Sequence, residues 1–186
     1  MDAIHHRRSI NKFKNEEPSR DIINKILEAG TWAPNHHHTE PWKFFVIRGD
    51  SREKLGNIMA ETLLEKIENT DSSESQVRLE VERKKPLRAP VIITVAVSPS
   101  NNINVIEIEE VAAVASATQN MLLAIHALGL GSILRTGESA YDKRINDFFG
   151  LKGAERIFGF IYLGYPDIPP PKQSRTSFTK KTKWFE

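Results

Sequence analysis

The feature that most constrains the fold is a run of seven residues from Val91 to Val97, VIITVAV, in which no residue carries a charge. β-Branched residues dominate the run, and it does not alternate between apolar and polar positions. This pattern predicts a strand that is buried on both faces, and such a strand needs helices on each side of its sheet. The run therefore predicts a layered fold of strands and helices.

Predicted strands and helices alternate along the rest of the chain. Ser19 is a candidate N-cap and Gly30 a candidate C-cap for a first helix over residues 18–30. Apolar spacing predicts further helices over 51–67, 109–128 and about 141–149, and strands over 42–47, 132–134 and 157–164. The polar stretch 69–85 suits either an exposed helix or a mobile lid. This order indicates an α+β or α/β sandwich, with one domain over residues 1–186.

Composition excludes several classes of protein. The chain has 186 residues and no cysteine, which excludes disulfides, thiolate metal sites and a catalytic thiol, and favours a cytoplasmic protein. The N-terminus lacks the apolar core of a signal peptide, and polar residues interrupt the longest apolar segment, 111–130, which therefore predicts a buried helix. The net charge of +2 gives no indication of nucleic-acid binding. We expect neither a membrane nor a nucleic acid as partner.

The C-terminal segment has a different composition. A cluster of prolines at 166–171 predicts a stiff, extended connector. Residues 172–186 have too few apolar side chains for a core of their own, yet they end in Trp184 and Phe185. We expect this C-terminal arm, residues 166–186, to dock on its own domain or on a partner.

Arg7, Arg8 and Ser9 form the first group of residues that suggests binding chemistry. Guanidinium groups make bidentate, charge-assisted hydrogen bonds with phosphate oxygens, and a serine hydroxyl can bond a phosphate or a polyol. The group favours a phosphate-bearing ligand, while a solvated basic N-terminus is the alternative.

Three consecutive histidines, His36 to His38, look at first like a metal site. Successive residues of a loop rarely converge on one ion, and no cysteine or suitably spaced carboxylate accompanies them. We therefore predict no metal here, but a solvated loop or contacts with an anion.

A glycine-rich segment, Gly129 to Gly137, follows the long apolar helix. Its glycines are too widely spaced for a dinucleotide-binding fingerprint, and the order of strand, loop and helix is reversed. The segment predicts a short strand whose exit presents Arg135 and Thr136, with an ordinary helix–strand connection as the alternative. The chain also lacks a nucleophile elbow, a Walker loop and a paired-carboxylate signature, so an enzyme of this sequence would take its reactive atom from a cofactor.

Together and in this order, these segments resemble the nitroreductase family, and most closely its small, YdjA-like branch. The resemblance runs from Ile4 to Phe185. It is carried by RRSINKF at 7–13, ILEAGTWAPN at 26–35, PWKFFVI at 41–47, the helix over 112–130, residues 129–137 and FGFIYLGYP at 158–166.

The resemblance implies an α+β fold, a three-layer sandwich with a mainly antiparallel central sheet flanked by helices. It also implies a homodimer that binds FMN tightly at the subunit interface. The implied cofactor-binding residues are Arg7, Arg8 and Ser9 at the phosphate, ribityl chain and pyrimidine edge, Trp32, Asn35 and His36 from the other subunit, Leu134, Arg135 and Thr136 along the ring and phosphate side, and Arg175 at the phosphate.

The implied activity is hydride transfer from NAD(P)H to a small organic acceptor, such as a nitroaromatic compound or a quinone. In this ping-pong mechanism N5 of FMN carries the hydride, and no side chain is catalytic. The dimer core would contain Val111, Val114, Ala115, Leu122 and Ile125, and the C-terminal arm would wrap the partner subunit. The alternatives are a non-catalytic flavin- or nucleotide-binding protein, a flavoenzyme of the same fold with a dedicated metabolite substrate, and a basic binding protein for anionic partners.

Overall fold

A four-stranded antiparallel sheet forms the centre of the protein. The computed structural model describes all of residues 1–186. The strands are β1 (Trp42–Arg48), β2 (Val91–Val97), β3 (Gly131–Arg135) and β4 (Arg156–Gly164). Their spatial order is β1-β2-β4-β3, and each neighbouring pair is antiparallel. Every residue of β2 is buried, which confirms the prediction from its continuous apolar run.

Helices cover both faces of the sheet. They are α1 (Asp2–His6), α2 (Arg20–Thr31), α3 (Ser51–Leu64), α4 (Ser73–Lys84), α5 (Glu107–Ala127), α6 (Glu138–Tyr141) and α7 (Lys143–Phe148). Val91, Ile93 and Val95 share a core with α2 and α5. Ile92 and Ala96, which alternate with them along β2, join the core that contains residues of α3, α6 and α7. The structure therefore confirms the α+β sandwich of three layers.

Gly30 does not cap α2, contrary to the sequence prediction, because the helix continues to Thr31. The glycine is buried, and a Cβ built on it would lie 3.0 Å from Cγ of Met121 in α5. Gly30 thus allows α2 and α5 to pack closely. A local sequence signal for a helix end does not distinguish this use of glycine from a C-cap.

The helix predicted over about 141–149 corresponds to α7, and the shorter α6 ends just before it at Tyr141. Oδ1 of Asp142 accepts a hydrogen bond from the backbone N–H of Arg144 at 3.0 Å and so caps α7.

Most of the polar stretch 69–85 forms a helix, α4, as one of the two alternatives predicted. Its C-terminal turn packs on α3 at Gly56, where an added Cβ would overlap the carbonyl oxygen of Arg83. The buried side chains of Leu79 and Glu82 face the protein, while Val77 and Val81 are exposed. The absence of a side chain at Gly56 therefore allows α4 to pack closely on α3.

The N-terminal segment lies along the edge of the sheet at β3. The N–H of Ile10 donates to the carbonyl of Ser132 at 2.9 Å, and the N–H of Lys14 donates to the carbonyl of Tyr165 at 2.9 Å. The N–H of Asp167 donates in turn to the carbonyl of Lys12 at 3.1 Å. These bonds fix Arg7 and Arg8, which immediately precede the segment, beside the start of β3.

The outer face of α5 matches the predicted dimer face only in part, at Ala115. Val114, Leu122 and Ile125 are buried in the core of their own chain and are not free to contact a partner. The exposed or half-buried face carries Ile108, Ala112, Ala115, Ser116 and Gln119. The prediction was wrong for these three residues because a helix with apolar residues on most of its surface does not reveal which face its own sheet covers.

The C-terminal arm begins against its own N-terminal segment, where Asp167 bonds to Lys12, but its last part does not pack on the domain. All side chains of residues 172–186 are exposed, including Trp184 at 77% and Phe185 at 87%. No helix of the chain combines the length and the apolar character needed to cross a membrane.

The close approach at Gly56 gives a direct test of the packing. We expect Gly56→Ala to lower the free energy of unfolding by about 1–3 kcal/mol, because α3 and α4 must move apart to admit the methyl group. The higher helix propensity of alanine, worth about 1 kcal/mol, offsets only part of this loss. Urea denaturation gives the value. The neighbouring Asn57→Ala, at an exposed position, is the control, and a Gly56→Ala protein as stable as that control would contradict the packing.

Candidate functional site

A cleft opens where the N-terminal segment meets the start of β3. Its cavity of about 180 Å³ is lined by Arg7, Arg8, His126, Gly131 and Ser132, together with prolines of the C-terminal arm. Gly131 allows the segment to approach, because a Cβ on it would lie 3.0 Å from Cβ of Ile10. The cleft thus joins three parts of the chain that are far apart in sequence.

Arg7, Arg8 and Arg175 form a cluster at this cleft, and all three line an adjoining cavity of about 270 Å³. Burial, followed by the charges of Arg175 and Arg8, lowers the pKa of the Arg7 guanidinium. Nη1 of Arg8 donates to the carbonyls of His5 at 2.6 Å and Arg7 at 2.8 Å. Nη1 of Arg175 donates to the carbonyl of Ser174 at 3.1 Å.

No carboxylate neutralises this arginine cluster. The ion pairs of the chain join other residues, such as Arg48 with Glu17 and Arg144 with Glu65. Guanidinium groups gathered without a counter-charge repel one another, and an anion with several oxygens relieves that repulsion. The arrangement is therefore that of an anion-binding site. Ser9 lies next to the cluster and pairs through its backbone with Ser132, and its side chain is exposed.

The next three predicted site residues lie at the C-terminal end of β3 and have different surroundings. Leu134 packs towards α5, whereas Cζ of Arg135 lies over the ring of Tyr162, 5.8 Å from its centroid. Thr136 is exposed beyond the strand. At about 3.3 Å per residue, Ser132 and Thr136 are about 13 Å apart. The guanidinium of Arg135 therefore does not join the arginine cluster but faces a different cavity.

That second cavity, here called the Tyr162 cavity, has a volume of about 100 Å³. Lys85, Arg88, Arg135, Thr136, Ser139 and Tyr162 contribute polar groups to it. Neither Arg88 nor Tyr162 was among the site residues predicted from the sequence. The basic run KKPLR at 84–88 is the only local signal, and it does not indicate what the run faces.

The loop with Trp32, Asn35 and His36 lies at the opposite end of α5. Nδ1 of His36 is 2.8 Å from Oε2 of Glu109 in the first turn of that helix. Oδ1 of Asn35 accepts the N–H of Glu40 at 2.9 Å, and Trp32 is 80% exposed. His126, by contrast, lines the cleft with Arg7 at the last turn of α5.

One chain therefore does not bring the predicted site together. Because α5 has 21 residues, its two ends are about 30 Å apart. The arginine cluster lies near the C-terminal end, and the Trp32 loop lies near the N-terminal end.

The histidine loop has an unusual backbone. His37, His38 and Glu40 have φ values of 57°, 52° and 46°. Residues other than glycine rarely adopt this backbone conformation. His36 stacks on His37 with ring centroids 4.0 Å apart. No group of three or more histidine, aspartate or glutamate side chains in the chain could hold a metal ion. Strain of this kind is often retained where a loop binds a ligand or partner.

Known proteins of the nitroreductase family are similar to this chain over most of its length. The profile of the Nitroreductase family matches residues 4–165. "Putative NAD(P)H nitroreductase YdjA" of Escherichia coli K12 is 31% identical over 171 residues, which cover 90% of each chain. "Putative NAD(P)H nitroreductase YfhC" of Bacillus subtilis 168 is 33% identical over 177 residues, which cover 94% of this chain and 88% of that protein.

Solved structures extend the similarity to the fold. The crystal structure of a nitroreductase-like family protein from Bacillus cereus has a TM-score of 0.84 and 28% identity, and the match covers 100% of this chain and 95% of that one. A Desulfovibrio desulfuricans protein crystallised in complex with FMN has a TM-score of 0.74 and 28% identity over the same shares. From its sequence, its three-layer fold and these matches, the chain belongs to the nitroreductase family.

Proposed function

We propose that the protein is an FMN-dependent oxidoreductase that transfers hydride from NAD(P)H to a small organic acceptor, such as a nitroaromatic compound or a quinone, by a ping-pong mechanism. The observation that carries the proposal is the cluster of Arg7, Arg8 and Arg175, which meet without a carboxylate in a chain of this family. The FMN complex of the Desulfovibrio desulfuricans relative supports the choice of cofactor. The supply of NAD(P)H favours the cytoplasm as its location.

The residues of the cleft suit an elongated molecule with an anionic end. Arg7, Arg8 and Arg175 would hold the FMN phosphate, and the exposed hydroxyl of Ser9 is available for the ribityl chain. The edge of β3 continues for about 13 Å to Thr136, so Thr136 and the backbone of Leu134 and Arg135 could lie along the ring. Tight, non-covalent binding is expected because charge-assisted hydrogen bonds are each worth about 1.5–3 kcal/mol.

When bound, FMN would accept hydride from NAD(P)H and pass it to the acceptor. The side chains bind, orient and tune, and none acts as a nucleophile or general acid in this proposal. The guanidinium groups stabilise negative charge at the cofactor, and they do so more strongly in a partly buried site than in water.

We infer that two copies of the chain are needed to complete the site. The Trp32 loop and the arginine cluster lie about 30 Å apart at the two ends of α5, a distance that one mononucleotide does not bridge. If two α5 helices pack antiparallel, each Trp32 loop lies near the arginine cluster of the other chain. Trp32, Asn35 and His36 would then contact the FMN held by the partner subunit.

The outer face of α5 and the C-terminal arm support this dimer. Ala112, Ala115 and Ser116 on that face are small enough for two helices to approach closely, and Ile108 is 69% exposed in a single chain. Trp184 and Phe185 are exposed at the end of a proline-rich arm. Wrapping of the arm around the partner would bury both side chains.

Spectroscopy tests the proposal directly. The purified protein should be yellow, and its flavin absorbance should bleach when NADH or NADPH is added without oxygen. Subsequent addition of nitroaromatic compounds and quinones should restore the absorbance. A yellow protein that neither nicotinamide bleaches would instead be a flavin-binding protein without this activity.

Replacement of Arg7 tests the phosphate site. We expect Arg7→Gln to weaken FMN binding by about tenfold or more, because it removes a charge-assisted contact. Titration of FMN-free protein with FMN, followed by flavin fluorescence, measures the dissociation constant. Arg144→Gln removes the same charge from a residue that pairs with Glu65 and should bind FMN like the original protein. Equal affinities in the two variants would reject the assignment.

The same Arg7→Gln variant should be at least as stable as the original protein when both lack FMN. Removal of one of three mutually repelling guanidinium groups relieves repulsion, and the gain should shrink as salt concentration rises. Thermal unfolding at low and high salt gives this comparison. A marked loss of stability would mean that the weaker binding reflects misfolding.

A bulky charge on the outer face of α5 tests the dimer. We expect Ala112→Arg to produce monomers that have lost most of their FMN, because the arginine prevents close helix packing and separates the two halves of the site. Analytical ultracentrifugation with absorbance detection measures both properties. Glu61→Arg, at an exposed position on α3, should remain dimeric and yellow. A monomeric Ala112→Arg protein with full FMN content would refute the shared site.

A further inference from the structure

We propose that the Tyr162 cavity binds the carboxylate of an aromatic acceptor, so that the enzyme favours anionic acceptors over neutral ones of the same shape. The inference rests on the proposed function, because Thr136 borders both this cavity and the proposed flavin site. It adds a substrate class that the FMN site alone does not define.

The charges around the cavity are mainly positive. Lys85 pairs with Glu82, and Oγ of Ser139 donates to the same carboxylate at 3.3 Å. Arg88 and Arg135, in contrast, form no ion pair within the chain, and the only close partner of the Arg135 guanidinium is the ring of Tyr162. Two guanidinium groups therefore remain available to an anion after the internal pair is formed.

Tyr162 adds a neutral donor at the wall of the cavity. The residue is 3% exposed, and burial of its hydroxyl raises its pKa to about 12, although the charges of Arg135 and Arg88 act in the opposite direction. The hydroxyl therefore keeps its proton at neutral pH. The protonated phenol can donate a hydrogen bond to a carboxylate, and the two neighbouring guanidinium groups attract an anion and repel a cation.

The size of the cavity suits the charged end of a small molecule. Its volume of about 100 Å³ adjoins a second cavity of about 200 Å³, and the two share Met59, Lys85, Thr136 and Ser139. A carboxylate could lie beside Tyr162 while an aromatic ring extends past Thr136. The arginine cluster lines different cavities, at the other end of β3, so the phosphate of FMN and the carboxylate of an acceptor would not compete.

A matched pair of acceptors separates this inference from the proposed function. The ratio of kcat/KM for 4-nitrobenzoate to that for 4-nitrobenzamide cancels effects common to both. We expect Arg88→Gln to lower this ratio about tenfold, the value of one charge-assisted hydrogen bond. Tyr162→Phe should lower it by a smaller factor. Arg78→Gln, an exposed residue of α4 outside the cavity, should leave it unchanged.

Equilibrium binding gives a second readout that does not need turnover. Calorimetric titration with benzoate should show weaker binding to Arg88→Gln than to Arg78→Gln, with benzamide unaffected. An unchanged acceptor ratio with unchanged benzoate binding, in a protein that still reduces both nitro compounds, would overturn the inference and leave the proposed function intact. A higher KM for NADH or NADPH with no change for 4-nitrobenzoate would also overturn it, because the cavity would then bind the reductant. Benzoate binding that depends on Arg88 in a protein without FMN would support the anion cavity while the proposed function fails.

Discussion

The repulsion among three guanidinium groups held together without a counter-charge constrains both the ligand and the assembly of this protein. Two backbone hydrogen bonds from the N-terminal segment, to Ser132 and Tyr165, hold Arg7 and Arg8 at the cleft against their mutual repulsion, and the C-terminal arm brings Arg175 to the same place. A folded chain that keeps such a cluster loses stability in the absence of an anion. An anionic ligand would supply the missing charge and reverse this loss.

The length of α5 indicates that the site needs a second chain. The helix places the arginine cluster and the strained histidine loop at opposite ends, so a single chain presents two incomplete halves. The small side chains on its outer face and the exposed apolar end of the C-terminal arm have no packing partner within one chain. A second copy would account for all of these features together.

Much of the fold could be predicted from the sequence because its signals are local. The apolar run of β2 required two helical layers, and Ser19 caps α2 as predicted, its Oγ accepting the N–H of Ile22. Gly30 was misread because its close neighbour, Met121, is distant in sequence. Strand geometry predicts that Leu134 and Arg135 point to opposite faces of the sheet. It does not predict which residues each side chain contacts. The Tyr162 cavity was missed since its basic groups come from segments about fifty residues apart.

We propose that FMN binds where two chains meet. Sedimentation of the FMN-loaded protein over a range of dilutions, recorded at a flavin wavelength and at a protein wavelength, measures where the flavin is bound. We expect flavin absorbance to sediment with the mass of two chains, and flavin to be released as the protein dissociates. Flavin that remains bound to single chains after dissociation, or a dimer that stays colourless in excess FMN, would contradict it.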